Sequence, residues 1–270
     1  MKDFHGRVAV ITGAGSGIGR ALALALRAEG CEIALVDVNE ARLREVQAEI
    51  GETRSTIHVA DVADRRRMAA LADEVMAQHD RIDILVNNAG VSVGADFEDH
   101  TLEDFDWIVG INLWGVVHGC KFFLPHLKGS DDAYIVNLSS MFGIIGVPGQ
   151  SSYCATKFAV RGFSEAIAAE LSDSTVRVMS VHPGGIRTNI AKDTRVSERM
   201  ASRHEKVVAL FERRAMLPEK CAELIVAAMR KGKSRLLVAP EAYIADAIKR
   251  LFPALPQRWV AAARKALLPG

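Results

Sequence analysis

Seven short, apolar-rich runs punctuate the chain, at positions 8–11, 33–36, 56–59, 82–86, 134–138, 176–181 and 236–238. A strand with one wet face alternates apolar and polar residues. Runs such as 8–11, 33–36 and 236–238 are apolar on consecutive residues, and the seven together predict strands covered on both faces, as in a parallel sheet. Longer amphipathic stretches lie between them, among them 17–29, 41–50 and 65–79. In the first, Ile18, Leu22, Ala25 and Leu26 share one helical face. Repeated strand–helix–strand units with right-handed crossovers predict an α/β fold: one doubly wound sheet of seven parallel strands with helices on both faces. Ligands bind such sheets beyond the carboxyl ends of the strands, and that is where chemistry is to be sought.

The first run leads into Thr12-Gly13-Ala14-Gly15-Ser16-Gly17-Ile18-Gly19, and a helix follows. Glycines let backbone turn tightly and approach a pyrophosphate, while the helix start offers free N–H groups and a positive dipole end. A structural strand–helix turn would use the same residues. The position between a buried strand and an amphipathic helix favours a dinucleotide site on a Rossmann-type sheet, with Gly13, Ser16, Gly17, Ile18 and Gly19 as candidate contacts. Asp37 ends the second run at the distance, about 20 residues on, where an acid can accept hydrogen bonds from the adenosine ribose. It would also repel a 2′-phosphate. No Arg or Lys lies between Gly13 and Gly19 to offset this, so NAD is expected over NADP. A strand-end polar residue without a ligand is the alternative for Asp37.

Composition narrows the field. The 270 residues carry a net charge of +1, which gives no support to nucleic-acid binding. Four scattered cysteines, with no Cys-x-x-Cys and no Cys/His spacing suited to zinc, predict no metal site and a reduced, cytoplasmic protein. The N-terminal apolar run is too short for a signal peptide, and no stretch is expected to cross a membrane. One dinucleotide-binding catalytic domain over 1–240, followed by an extension over 241–270, is the expected organisation.

The glycine turn, Asp61-Val62, Asn87-Asn88-Ala89-Gly90, Asn112, Ser140, Tyr153-x-x-x-Lys157 and Pro183-Gly184 occur in this order. In order and spacing they resemble the classical short-chain dehydrogenases/reductases over roughly residues 5 to 240. The resemblance implies nicotinamide dinucleotide binding, a Ser–Tyr–Lys set supported by an Asn, and a homodimer or homotetramer. It implies that Asn112 holds a water beside the lysine and that Asp61 and Val62 lie at the adenine. Asn87, Ala89 and Gly90 would be cofactor-adjacent, with a sheet-stabilising role nearly as well supported for Asn87. Pro183, Gly184, Ile186 and Thr188 would line the nicotinamide.

The chemistry is also legible in the residues. Positions 151–171 read as one helix, so Tyr153 and Lys157 lie one turn apart on one face. A tyrosine titrates near pH 10, and a neighbouring ammonium favours its phenolate. Ser140 follows a buried strand, and its hydroxyl can donate to a substrate oxygen; the family spacing selects it over Ser139. The expected reaction is NAD-dependent interconversion of a hydrophobic secondary alcohol and its ketone. An NADPH-dependent ketone reductase and a cofactor-binding regulator without turnover are the rivals. Apolar residues among 141–150 suit such a substrate. Segment 187–214, at the place of the family's mobile substrate lid, holds eight Lys/Arg against four Asp/Glu, which reads as a solvated helix face or as a lure for an anionic substrate. In the extension, Tyr243, Ile244, Ala247, Ile248, Leu251 and Phe252 share a face, and Trp259, Val260, Ala263 and Leu267 follow among Arg258, Arg264 and Lys265. A subunit contact or pocket flap is preferred there over a peripheral membrane contact.

Overall fold

The computed structural model describes residues 1–201, 204, 208–209, 215–254 and 262. Its main sheet has seven strands: β1 (Val8–Thr12), β2 (Glu32–Asp37), β3 (Ser55–Val59), β4 (Ile84–Asn87), β5 (Ala133–Leu138), β6 (Val176–Pro183) and β7 (Arg235–Val238). All pair in parallel, in the order β3-β2-β1-β4-β5-β6-β7. The order reverses between β1 and β4, which opens a crevice at their carboxyl ends.

Continuous apolar runs are needed because successive side chains feed two separate cores. Ala9 and Ile11 of β1, with Ile33 and Leu35 of β2, enter one core. Val10, Ala34 and Val36, the residues between them, enter the other. The first core is closed by α1 (Gly17–Ala28), α2 (Glu40–Ile50) and α7 (Pro218–Arg230), through Leu22, Leu26, Leu43, Val46, Cys221, Ile225 and Met229. The second is closed by α3 (Arg65–His79), α5 (Gly115–Leu127) and α6 (Ser151–Glu170), through Met68, Leu71, Val75, Val116, Phe123 and Val160. Each large aliphatic side chain buried this way contributes about 1.5–3 kcal/mol.

Two departures from the sequence reading matter for the site. α4 (Leu102–Val109) runs through a π-helical turn, Gly110–Trp114, into α5. The resulting rod, Leu102–Leu127, is long and apolar enough by composition to span a membrane, contrary to the expectation that no stretch comes near. Ile108, Val116, Phe123 and Leu127 are buried inside the protein, which accounts for the apolarity. The chain then continues past β7 into α8 (Pro240–Leu251), which turns Ala242 and Ala245 inward and is tied to β7 by an Arg235–Asp246 pair at 2.6 Å.

Candidate active site

Ser140 lies two residues past the end of β5 and caps a short turn, Met141–Gly143, with its Oγ accepting from Phe142 N–H at 3.1 Å. The Ser140 hydroxyl adjoins the Tyr153 phenol and favours its charged form. Ser139 is used differently: its hydroxyl donates to the Lys157 carbonyl at 2.8 Å, fixing α6 to the strand end. Lys157 is buried, donates from Nζ to the Leu138 carbonyl at 2.9 Å and lies 5.5 Å from the Tyr153 ring centre. Phe142 packs edge-on to that ring at 6.0 Å.

The electrostatics depart from the sequence expectation of a lysine-lowered tyrosine. Burial pushes the Tyr153 phenol up to about 12, and the Ser140 hydrogen bond offsets only part of this. Burial likewise brings Lys157 down to about 8. Both shifts disfavour charge, as desolvation does. The ammonium is directed at the Leu138 carbonyl rather than spent on the phenol.

Asn112 sits in the π-helical turn, fully buried. Such turns re-aim side chains and recur at functional sites. Its carboxamide accepts from Val91 N–H at 2.8 Å and donates to the Val91 carbonyl at 2.9 Å and to Thr156 Oγ at 3.3 Å. The side chain thus binds protein, at the floor under Lys157. Gly90 is wedged between the two: a Cβ there would lie 3.3 Å from Asn112 Oδ1 and 3.5 Å from Lys157 Nζ.

On the dinucleotide side, Gly13 and Gly17 take φ of +64° and +54°, conformations that favour glycine. A Cβ on Gly13 would meet Ala89 Cα at 2.9 Å, and one on Gly17 would meet Thr188 Cγ2 at 2.9 Å. A Cβ on Gly19 would collide with the Gly13 carbonyl. Ser16 stands at the N-cap of α1, and Ile18 packs half-buried on the first core. Asp37 accepts from Gly15 N–H at 3.0 Å and from Asn39 N–H at 3.0 Å, so its carboxylate rims the turn. Asp61 is exposed and accepts from Ala63 N–H at 2.9 Å, while Val62 is buried and its carbonyl meets His118 Nδ1 at 2.9 Å. Pro183 ends β6, and Ile186 is buried, with its neighbour Arg187 N–H donating to the Met216 carbonyl at 2.8 Å.

Asn87 has the sheet-stabilising contacts that the sequence left open beside a cofactor-adjacent place. It is buried in the sheet, donates to Asn137 Oδ1 at 2.8 Å and approaches Cys120 Sγ at 3.3 Å. Its neighbour Asn88 serves the turn instead, donating from Nδ2 to the Thr12 carbonyl at 2.9 Å and the Gly13 carbonyl at 3.1 Å. Strand alternation carried the signal, since adjacent residues face opposite sides.

Two further residues escaped the sequence reading. His182 is fully buried beside Ser140: its Nδ1 lies 3.2 Å from the Ser140 carbonyl and therefore carries the hydrogen, leaving Nε2 to accept from Ser180 Oγ at 3.2 Å. Glu241, in the first turn of α8, accepts from Gly185 N–H at 2.6 Å. Neither has a local sequence signal, because the partners are 42 and 56 residues away.

The basic lid also reads differently in three dimensions. Arg195 pairs with Asp104 at 2.8 Å and lies 3.6 Å over the Trp107 ring, and Arg199 pairs with Glu98 at 2.5 Å. These arginines fasten the segment down rather than face a substrate. Lid residues 202–203, 205–207 and 210–214 lie outside the described residues. Of the extension's apolar face, Tyr243, Ile244, Ile248, Leu251 and Phe252 are exposed. Trp259, Val260, Ala263 and Leu267, with Arg258, Arg264 and Lys265, lie outside the described residues.

The sequence and the fold both have known relatives. The short chain dehydrogenase family profile matches residues 7–199. SadH of Mycobacterium tuberculosis, which carries an oxidoreductase name, is 42% identical over 100% of this chain and 99% of its own length. A D-threitol dehydrogenase of Mycolicibacterium smegmatis is 38% identical over 70% of this chain and 74% of its own. Among solved structures, a short chain dehydrogenase/reductase from Burkholderia phymatum in complex with NAD superposes with a TM-score of 0.88 at 27% identity, covering 94% of this chain and 96% of that one.

Proposed function

The chain belongs to the short-chain dehydrogenase family and is an oxidoreductase acting on CH–OH groups with a nicotinamide dinucleotide, and from that premise we propose that it interconverts a hydrophobic secondary alcohol and its ketone with NAD. The observation that carries this reading is the convergence of Ser140, Tyr153 and Lys157 at the carboxyl end of β5. Gly90, Ala89 and Gly13 form a contact path from them to the glycine turn.

The residues present fit the dinucleotide. The glycine turn leaves no room for side chains, α1 begins at Ser16, and Asp37 stands at the turn's rim. When bound, the nicotinamide accepts or returns a hydride. The protein's own part is to hold the oxygen and move its proton. Ser140 donates to the substrate oxygen, and Tyr153 takes the alcohol proton in oxidation or returns it in reduction. Burial lowers Lys157 to about 8, and a turn of its ammonium from the Leu138 carbonyl toward Tyr153 would stabilise the phenolate as it forms. A phenol held near 12 is a resting proton donor, poised for the reductive direction.

The preference for NAD rests on Asp37. A second reading, NADP dependence, has Arg42 in its favour: a Cβ on Gly15 would lie 2.9 Å from Arg42 Cβ, so a cation stands beside the turn although none lies within it. Saturation kinetics with both cofactors separates the two, and a lower KM for NADP would sink the first. The hydrophobic substrate is supported by the apolar turn after Ser140, where Met141 and Phe142 are half-buried and Ile144 is buried. A panel of alcohols followed by NADH absorbance tests it; turnover confined to polyols would reject it.

A further inference from the structure

Helix α8 reaches back across the molecule to the segment 183–188, and the contact is unusually specific. The Glu241 carboxylate accepts from Gly185 N–H at 2.6 Å. A Cβ on Gly184 would lie 2.5 Å from Glu241 Oε1 and 2.7 Å from both Glu241 Cγ and Cδ. Gly184 therefore makes room for this side chain. Its own N–H donates to the Val238 carbonyl at 2.8 Å, so the segment is pinned from β7 and α8 together.

The chain bends sharply to make this contact. Ala239, between β7 and α8, has φ +74° and ψ +148°, a conformation almost confined to glycine. Pro240 follows and starts the helix in a fixed geometry. Strained non-glycine backbone persists where surrounding contacts over-determine it. Here those contacts are the Arg235–Asp246 pair, the buried Ala242 and Ala245, and the Glu241 hydrogen bond. The same helix packs against the Met141–Gly143 turn that follows Ser140. Segment 183–188 continues to Thr188, which abuts Gly17 of the glycine turn.

We infer that Glu241 is a positioning residue for the cofactor: it holds the Gly184–Gly185 backbone in the shape that lets segment 183–188 close one wall of the dinucleotide site. The inference rests on the dinucleotide reading above. It extends the working site to α8, beyond the last strand of the sheet.

The test measures NADH binding to the purified full-length protein by the quenching of its tryptophan fluorescence, together with thermal unfolding. Glu241→Ala is expected to weaken NADH binding about tenfold, as loss of a hydrogen bond to a charged acceptor does. Its melting temperature should stay close to that of the parent, because the Arg235–Asp246 pair still anchors α8. Glu241→Gln keeps an acceptor oxygen and should recover most of the affinity. Gly184→Ala displaces the carboxylate and should mimic Glu241→Ala; it is also the substitute should Glu241→Ala fail to fold. Unchanged NADH affinity in both Glu241→Ala and Gly184→Ala would overturn the inference, as would equal weakening by Glu241→Gln and Glu241→Ala. A parent protein that binds neither NADH nor NADPH would instead remove the dinucleotide reading itself.

Discussion

The two sides of the crevice are held in different ways. On the β1–β2 side, backbone does the work: glycines with positive φ, a parallel register from Val8 to Thr12, and the Thr12 hydroxyl accepting from Asn88 and Ala89 N–H at 3.0 and 3.1 Å. On the substrate side, side chains from distant segments fasten loops: Arg195 to Asp104 and Arg199 to Glu98. Backbone pairing is repeated and cooperative, whereas a surface ion pair contributes only about 0–1 kcal/mol. The first side is thus built to keep one shape and the second to be adjustable. Between them lie the proposed catalytic residues, past the end of β5 and on α6, with Tyr153 and Lys157 held toward their neutral forms by burial.

The largest effect should come from that middle layer. Tyr153→Phe removes the proton carrier and leaves the ring against Phe142, so kcat should fall about 10²–10⁴-fold with NADH affinity nearly unchanged. Turnover within a few-fold of the parent would refute the mechanism. Because the phenol sits near 12, alcohol oxidation should also rise with pH through the neutral and mildly alkaline range, where the phenolate fraction is still increasing.

His182 supplies the next effect, on stability. Burial lowers it to about 4 from its ordinary 6.5, so the folded state stays neutral where the unfolded state takes up a proton. A base with a depressed folded pKa destabilises the fold as pH falls from 6.5 towards 4, and the loss is complete below the folded pKa. Between about pH 7 and about pH 4.5 the parent should lose about 2 kcal/mol through this group alone. His58 is lowered in the same direction, so the readout is a difference between proteins. Urea unfolding of the parent and of His182→Gln at the two pH values measures it. Equal losses in both would show that His182 does not stay neutral.

Asp37 tests whether the rigid side also chooses the cofactor. Asp37→Asn keeps an oxygen for Gly15 N–H but removes the charge. The ratio of kcat/KM for NADP to that for NAD should rise about tenfold, the size expected for losing one hydrogen bond from a charged acceptor and one like-charge repulsion. No change in the ratio would shift attention to Arg42, which lies beside Gly15.

The sequence legibility of the two sides differs for the same reason. Strands were readable because every residue of β1, β4 and β5 is buried, which favours apolar-rich runs interrupted only by the hydrogen-bonded Thr12, Asn87 and Asn137. The start of β4 slipped, from position 82 to Ile84, because Asp83 is buried by ion pairs with Arg7 and Arg81 that no apolar pattern contains. Tyr153 and Lys157 were readable because helical spacing places them together. Asn87 stayed open between sheet and cofactor because a strand interior and a strand rim differ by one residue. His182 and Glu241 stayed hidden because their partners are brought near only by the sheet order. The lid arginines were visible as charges but not as fasteners, for the same reason.

The smallest effect belongs to that fastening, and it bears most directly on the contrast between the two sides. Arg195 lies in a short pairing of Arg195–Val196 with Val93–Gly94, where its N–H donates to the Ser92 carbonyl at 3.2 Å. Its guanidinium pairs with Asp104 and covers Trp107, and both ionic partners are partly exposed. An exposed pair and a cation–π contact contribute about 0.5–1 kcal/mol each at most. Arg195→Ala should therefore raise the KM for the alcohol only about threefold to fivefold, with kcat unchanged, because the catalytic set is untouched. Salt should raise the parent's KM by screening the pair, and should barely move that of Arg195→Ala, which has no pair to screen. The KM for NAD should not respond in either protein, since the glycine turn is held by backbone. A KM for NAD that rose with the KM for alcohol would mean that the two sides are mechanically coupled, and the division drawn between them would fail.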